Sequence, residues 1–537
     1  MNLRSFLLTD NDYSDLTKRI FHTFSWLYEN SPINFATLTG WAHPSVPRLT
    51  GNIFFGRAGK FADPLGLARE IESLGELAKT NSLGRAYLNI LSFPTILLTR
   101  PEDIAQILAY NSDKVDRGKL LEVFGQVFGE HNLLTQPTDA NWAQKRAKLQ
   151  EWVLTNEKLD ALVPEMQKIV DEFVAKMAEN NGNVINLEKS LVALTMEIFA
   201  RTQLASDKMG ENVENISKAF GAALGIASNP IHRLWMMFDY VFKCVNVRCT
   251  QHLDDAKIQL QQVLIENFID PNKKNLQEKE NILQNYFRKY FNNTAKIDMS
   301  SAANTINQSD SETIDDLGLL LLAGHETTSR LLQFTIILLS KHPDVLARVI
   351  AEIAANKPAD GSWTKEHLNQ LDYLTKVLKE TLRLFPPTPV IPRKVTKTII
   401  LGDIPICISR EEYHKAMEDR DYTKDIILHP NSCVMISPWI TQRLESHYDK
   451  PLEFNPDRHE TSSMYTQGEF TWIPFGVGDR NCPGRRFAIQ EVLITLVRFL
   501  ETYNFKPGCE KGQLLETYIL GTLKHKEPVD MQVSMRK

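Results

Sequence analysis

Cys482 stands in the run Phe475-Gly476-Val477-Gly478-Asp479-Arg480-Asn481-Cys482-Pro483-Gly484. Glycines frame it, an arginine precedes it, and a Pro-Gly turn leads into an apolar run, Phe487 to Leu500, at helical spacing. Without a Cβ, glycine lets backbone N–H groups come close to a sulfur and to a flat ligand. Hydrogen bonds from such a turn, together with the start of the next helix, favour a thiolate over a thiol. Cys482 therefore reads as a metal ligand. No second cysteine or histidine stands nearby at zinc spacing, so a single axial thiolate on haem iron fits better than a tetrahedral zinc site. The rival reading is a small buried hydrophobe in a glycine-rich turn.

A second stretch pairs an acid with hydroxyls: Ala323-Gly324-His325-Glu326-Thr327-Thr328-Ser329-Arg330, inside an apolar run that begins at Leu317. A helix this apolar on every side must be buried in a large core or in lipid, and the polar cluster at its centre points to the core. Mid-helix glycine costs stability, and a threonine there can bond back to the carbonyl four residues earlier and bend the helix, which suits a groove for a small ligand. Two further pairs have helical spacing. Trp142 and Arg146, four apart, point the same way. Glu380 and Arg383, three apart, have the spacing of an ordinary helical ion pair.

Together these residues resemble the cytochrome P-450 family. Its haem-binding signature, Phe-x-x-Gly-x-Arg-x-Cys-x-Gly, is filled by Phe475, Gly478, Arg480, Cys482 and Gly484, with the frequent alanine at Ala488. Its oxygen-activation motif matches Ala323 to Thr328. A Glu-x-x-Arg helix, then Phe385-Pro386-Pro387-Thr388-Pro389-Val390-Ile391-Pro392-Arg393, then Phe454-Asn455-Pro456-Asp457-Arg458 follow in the family's order. The resemblance implies haem b with the Cys482 thiolate as axial ligand. Trp142, Arg146, Arg393 and Arg480 would lie at the propionates, and Ala323, Gly324, Phe475, Gly478 and Gly484 would border the cofactor. Thr327 would hydrogen-bond dioxygen, Glu326 would relay protons, and Glu380, Arg383 and Arg458 would form a buried triad. The implied fold is mainly α, one large helical domain with a minor β region, with haem between the Thr327 helix and the Cys482 loop.

The implied activity is a haem-thiolate monooxygenase that inserts one oxygen atom of dioxygen into an apolar substrate. A fatty acid is favoured over a sterol or terpenoid, because the stretch from Ala323 to Ser329 looks like segments of fatty-acid-hydroxylating members. The expected pocket stretches are Leu319 to Ala323, Pro389 to Ile391 and Ile519 to Leu523. The alternatives are a haem-thiolate peroxygenase or isomerase, and a non-catalytic haem or ligand-binding protein. No Gly-x-Gly-x-x-Gly turn after a strand and no iron–sulfur cysteine set is seen, so a separate electron donor, a ferredoxin or a flavoprotein reductase, is expected. Lys145, Lys148, Arg485 and Arg486 are candidates for its docking patch.

The remaining sequence frames these elements. The 537 residues are 43% hydrophobic and 24% charged, the make-up of a globular protein with a large core. A net charge of −5 argues against nucleic-acid binding. Six scattered cysteines do not make a disulfide framework, and a cytoplasmic setting is expected. Residues 1–43 read as an N-terminal extension without a membrane span, in which Leu16, Ile20, Phe24 and Leu27 share one helix face; a peripheral membrane contact stays open. Residues 44–537 read as a single catalytic domain. It begins with a Pro/Gly/Arg-rich surface loop from Pro44 to Phe61, and Tyr87 to Leu98 suggests a hairpin. A section from Ile216 to Phe242 would cover the substrate channel. A polar connection spans 271–310, with a capping-box pattern at Ser309 to Glu312. A charged surface insertion lies at about 404–427, and Gln442 stands where the family commonly has histidine.

Overall fold

The computed structural model describes residues 64–536 apart from 81–83, 91–92, 119–120, 181, 205–211, 229–250, 265–307, 407–408, 419–424, 465–469 and 508–516. The N-terminal extension, the 44–61 loop, most of the polar connection and part of the channel-covering section lie outside these residues.

The chain opens with α1 (Pro64–Lys79) and the antiparallel pair β1 (Arg85–Ile90) and β2 (Phe93–Leu98). A short α2 (Pro101–Ala105) continues as one π-helical turn, Gln106–Tyr110, before β3 (Val115–Arg117). Helices α3 (Glu122–Phe128), α4 (Ala140–Trp152) and α5 (Val163–Met177) precede β4 (Val184–Asn186), and α6 (Leu187–Gln203), α7 (Asn212–Ser228) and α8 (Gln251–Leu264) follow it. The long α9 (Gln308–Lys341) begins at Gln308, within a residue of the expected cap. His342-Pro343 ends it, because Pro343 cannot continue the helix and instead takes the first position of α10 (Pro343–Asn356).

Helix α11 (Asp372–Leu384) carries the Glu-x-x-Arg pair. Its free N-terminal donors are met by the Glu352 carboxylate of α10, which accepts from the Tyr373 and Leu374 amides at 2.7 and 2.8 Å. Strands β5 (Ile391–Val395) and β6 (Ile399–Leu401), helix α12 (Arg410–Glu418), and strands β7 (Ile426–Leu428) and β8 (Cys433–Ile436) come next. Helix α13 (Arg485–Thr502) runs into β9 (Tyr503–Pro507), and the hairpin β10 (Thr517–Leu520) and β11 (Thr522–His525) precedes β12 (Asp530–Met535).

The architecture is mainly α with a small β part. One sheet has the order β1-β2-β8-β5-β3 and another β4-β12-β9; β10-β11 and β6-β7 are two-stranded. The larger core gathers the helices around α9, whose Leu332, Phe334 and Ile337 are fully enclosed. A second core lies between the five-stranded sheet, the π-helical turn and α12. The insertion expected as an exposed loop therefore contains a helix with a buried tyrosine, Tyr413. Among the described residues, no helix is long and apolar enough to cross a membrane.

Candidate active site

The Cys482 loop is shaped by contacts that only glycine permits. Gly476 and Gly478 have φ of +65° and +73°, and a Cβ on Gly478 would lie 1.8 Å from the Leu108 carbonyl oxygen. The Cys482 amide donates to the Phe475 carbonyl at 2.8 Å, closing the turn over the sulfur. Amides of Gly484 and Arg485 point at the sulfur, where α13 begins. The cysteine keeps free surface although protein surrounds it closely enough for burial to dominate its acidity. Cys482 so presents an open face inside the protein.

Burial pushes the Cys482 thiol up, and the Gly484 amide, Arg485 and Arg146 pull the other way without winning. Coordination to a metal cation would deprotonate the thiol outright.

Helix α9 faces this loop across Phe199 of α6. Phe199 meets Phe487 edge-on at 5.9 Å between ring centroids, and a Cβ on Gly324 would stand 2.2 Å from its ring. Gly324 so admits an aromatic wedge between α9 and the start of α13. Ala323 is exposed although Leu321, Leu322, His325 and Glu326 are buried, and Thr388 is exposed between buried Pro387 and Pro389. The Leu523 amide donates to the Pro387 carbonyl at 3.0 Å, and Thr522 reaches Glu326 at 2.9 Å. Thr522 and Leu523 of the third expected pocket stretch thus bond residues close in sequence to the other two.

Both threonines bond back along the helix, Thr327 to the Ala323 carbonyl at 2.8 Å and Thr328 to that of Gly324 at 2.9 Å, yet α9 runs on without a break. The Glu326 carboxylate is held by other groups. Its partners are Arg330 at 3.1 Å, Lys524 at 3.0 Å and the Thr522 hydroxyl at 2.9 Å. Burial alone would raise its pKa, but Arg330, Lys524 and His325 hold it well below the ordinary carboxylate range. Glu188 completes the cluster by pairing Arg330 at 2.6 Å.

Three arginines mark another side of the site. Arg146 donates to the Asn481 carbonyl at 2.8 Å, one residue before the cysteine. Arg480 bonds the Gln136 carbonyl at 2.6 Å and Thr138 at 2.8 Å, and its guanidinium lies 4.4 Å from the Trp142 ring centroid. The Trp142 indole is fixed by the Leu133 carbonyl at 2.9 Å. Burial and then the Arg480 charge lower the pKa of Arg393 to about 10, while burial lowers that of Arg480 to about 10. These two guanidiniums, with Asp116 3.4 Å from Arg480, would suit an added dianion. Haem fits this donor set: an open sulfur on one side, an exposed Ala323 on the helix, and cations for two propionates.

The structure also joins Glu380 to Arg383 at 2.8 Å and to Arg458 at 2.9 Å, and adds His459 at 2.9 Å. Gln442, in the histidine position, spans the same region: its amide donates to the Leu382 and Arg383 carbonyls and its oxygen accepts from the Ile473 amide. Of the expected docking patch, the structure withdraws Lys145 from the surface. Lys145 is buried against Asp316 at 2.8 Å, where burial raises the pKa of that acid to about 6. Arg486 pairs Asp160 at 2.7 Å, and Arg485 lies over Phe475.

The family model described as Cytochrome P450 matches residues 84–408 and 410–533. The chain belongs to the cytochrome P450 family. Among curated relatives, "Cytochrome P450 3A12" of Canis lupus familiaris is 25% identical over 462 residues, covering 82% of this chain and 83% of its own. "Cytochrome P450 3A28" of Bos taurus is 24% identical over 459 residues, covering 82% of each. "Cytochrome P450 3A7" of Homo sapiens is 25% identical over 461 residues, covering 82% of this chain and 83% of its own. This cytochrome P450 is a monooxygenase that binds haem b through a cysteine thiolate. His459 and Lys524 were missed from sequence, and Thr522, inside the expected stretch Ile519 to Leu523, was not tied to Glu326. His459 adjoins Arg458 and could have been weighed with it, whereas Lys524 lies far from Glu326 along the chain and carries no local signal.

Proposed function

We propose that this monooxygenase hydroxylates an apolar substrate, a fatty acid first among the candidates, with Cys482 as iron ligand and electrons from a separate ferredoxin or flavoprotein. The observation that carries the substrate class is the apolar make-up of the stretches around Ala323: Leu319 to Leu322, Pro389 to Ile391, and Ile519 with Leu523. Bound haem supplies dioxygen activation, with the thiolate pushing electron density onto the iron.

The chain supplies the surroundings. Arg146, Arg393 and Arg480 hold the anionic edge, and Trp142 stacks behind Arg480. Ala323 and Gly324 leave room on the helix side, and Phe475, Gly478 and Gly484 shape the loop. Thr327 offers its hydroxyl at the open face of α9, and Glu326 hands protons inward when it leaves Arg330 and Lys524.

A panel of fatty acids, sterols and terpenoids titrated into the ferric protein tests the substrate class. A fatty acid is expected to shift the iron's spin state at micromolar concentration and to be oxidised when electrons are supplied. A shift with sterols or terpenoids alone would overturn the fatty-acid choice.

A further inference from the structure

The family match is interrupted at residue 409, and α12 starts at the next residue. This helix does not stand free in solvent. Tyr413 is buried and stacks on Tyr110 with ring centroids 4.8 Å apart. Its hydroxyl accepts a hydrogen bond from Asn111 at 2.8 Å, and the same Asn111 amide group reaches the Gln106 carbonyl at 2.9 Å. Arg410 donates to the Tyr110 carbonyl at 2.6 Å and pairs with Asp113. Gln106 itself exchanges two bonds with the backbone of Gly402, at 2.9 and 3.1 Å.

These contacts fall on the one turn of π-helix, Gln106–Tyr110, and on Asn111 and Asp113 just after it. Such a turn holds one residue more than an α-helix would and costs stability unless its surroundings fix it. Its inner side is the Leu108 carbonyl, which lies so close to Gly478 that no Cβ could stand between them. Gly478 in turn accepts from the Asn481 amide at 3.1 Å, immediately before Cys482. Val477 packs in the same core as Tyr413, Ala416 and Met417. An unbroken row of contacts so runs from α12 through the π-turn to the cysteine loop.

We infer that α12 is a positioning element for the Cys482 loop, with Tyr413 and Arg410 holding the π-turn whose Leu108 carbonyl sets the Gly478 turn. The inference rests on Cys482 as the iron ligand. Its residues touch neither substrate nor haem and act through the 106–110 turn.

Hydrogen exchange, read segment by segment on the haem-loaded protein, tests it alongside the spectrum of the reduced carbon monoxide adduct. Tyr413→Ala is expected to speed exchange in both 106–110 and 475–482 by about fivefold to tenfold, the scale of one lost aromatic pair. Exchange in 319–327 of α9 should not change, and the strongly red-shifted thiolate band should give way faster on warming. Tyr413→Phe, which keeps the stack, and Arg410→Ala, at the surface, should each show the same pattern at about twofold. They carry the test if the alanine variant does not fold. Faster exchange at 106–110 with an unchanged 475–482 segment would overturn the inference, and so would a uniform rise across the protein. A thiolate band that persists in Cys482→Ser would instead refute the ligand assignment, leaving the exchange result to be read separately.

Discussion

Replacing Glu380 with alanine is expected to leave little folded, haem-binding protein. The carboxylate is fully buried and accepts from Arg383 at 2.8 and 2.9 Å, from Arg458 and His459 at 2.9 Å, and from the Asn455 amide at 3.0 Å. Arg383 reaches further, to the carbonyls of Gln442, Pro451 and Glu453. Alanine would strand these donors in the interior beside an uncompensated guanidinium. Breaking a buried pair in this way costs about 3–5 kcal/mol, against a total stability of about 5–15 kcal/mol. Glu380→Gln keeps the shape and should fall between. Haem content and the urea midpoint measure both variants; an alanine variant within about 1 kcal/mol of the parent would contradict a central role.

The same carboxylate predicts an acid limit. Burial works to raise its pKa, but hydrogen bonds from Arg383 and His459 and the Arg383 charge outweigh burial and bring it from 4.5 to about 2. A depressed pKa means that the folded state binds fewer protons than the unfolded one. The contribution is complete above the unfolded value and is lost as pH falls toward the folded one. The parent should therefore weaken steeply between about pH 4.5 and 2, and Glu380→Gln should show a shallower fall over that window.

Thr327→Ala should separate electron consumption from product formation. Thr327 donates to the Ala323 carbonyl, which leaves its oxygen lone pairs to serve as acceptors. A positioned proton donor or relay contributes on the order of 10²–10⁴-fold, so a loss of about tenfold or more in product per electron pair is expected, with substrate affinity and haem content kept. Thr327→Ser should recover most of it and Thr327→Val should not. Unchanged coupling in the alanine variant would remove Thr327 from the proton path. Glu326 adds a second handle. Lys524→Met removes one of its cations without touching the open face, so a change in the pH dependence of coupling at constant substrate affinity would mark Glu326 as the inner relay.

The cofactor side of the fold was legible because its signals are local. Glycines at 476 and 478 announce left-handed turns, and the apolar run with Glu326 and Thr327 at its centre points to a core helix. Contacts between distant segments were not legible. Nothing near Glu326 in sequence points to Lys524, and Lys145 reads as a surface lysine until Asp316 is seen against it. The helix in the insertion was not legible for a related reason: its charges predict a solvated loop, while Tyr413, buried in its docking contact, is invisible in an average over composition.

The most direct measurement is the absorption spectrum of the purified protein, reduced and exposed to carbon monoxide, with Cys482→Ser as its control. A strongly red-shifted Soret band in the parent, absent from the serine variant, is the expected result. A band at the position of histidine-ligated haem in the parent, or the same red-shifted band in both proteins, would contradict Cys482 as the axial ligand.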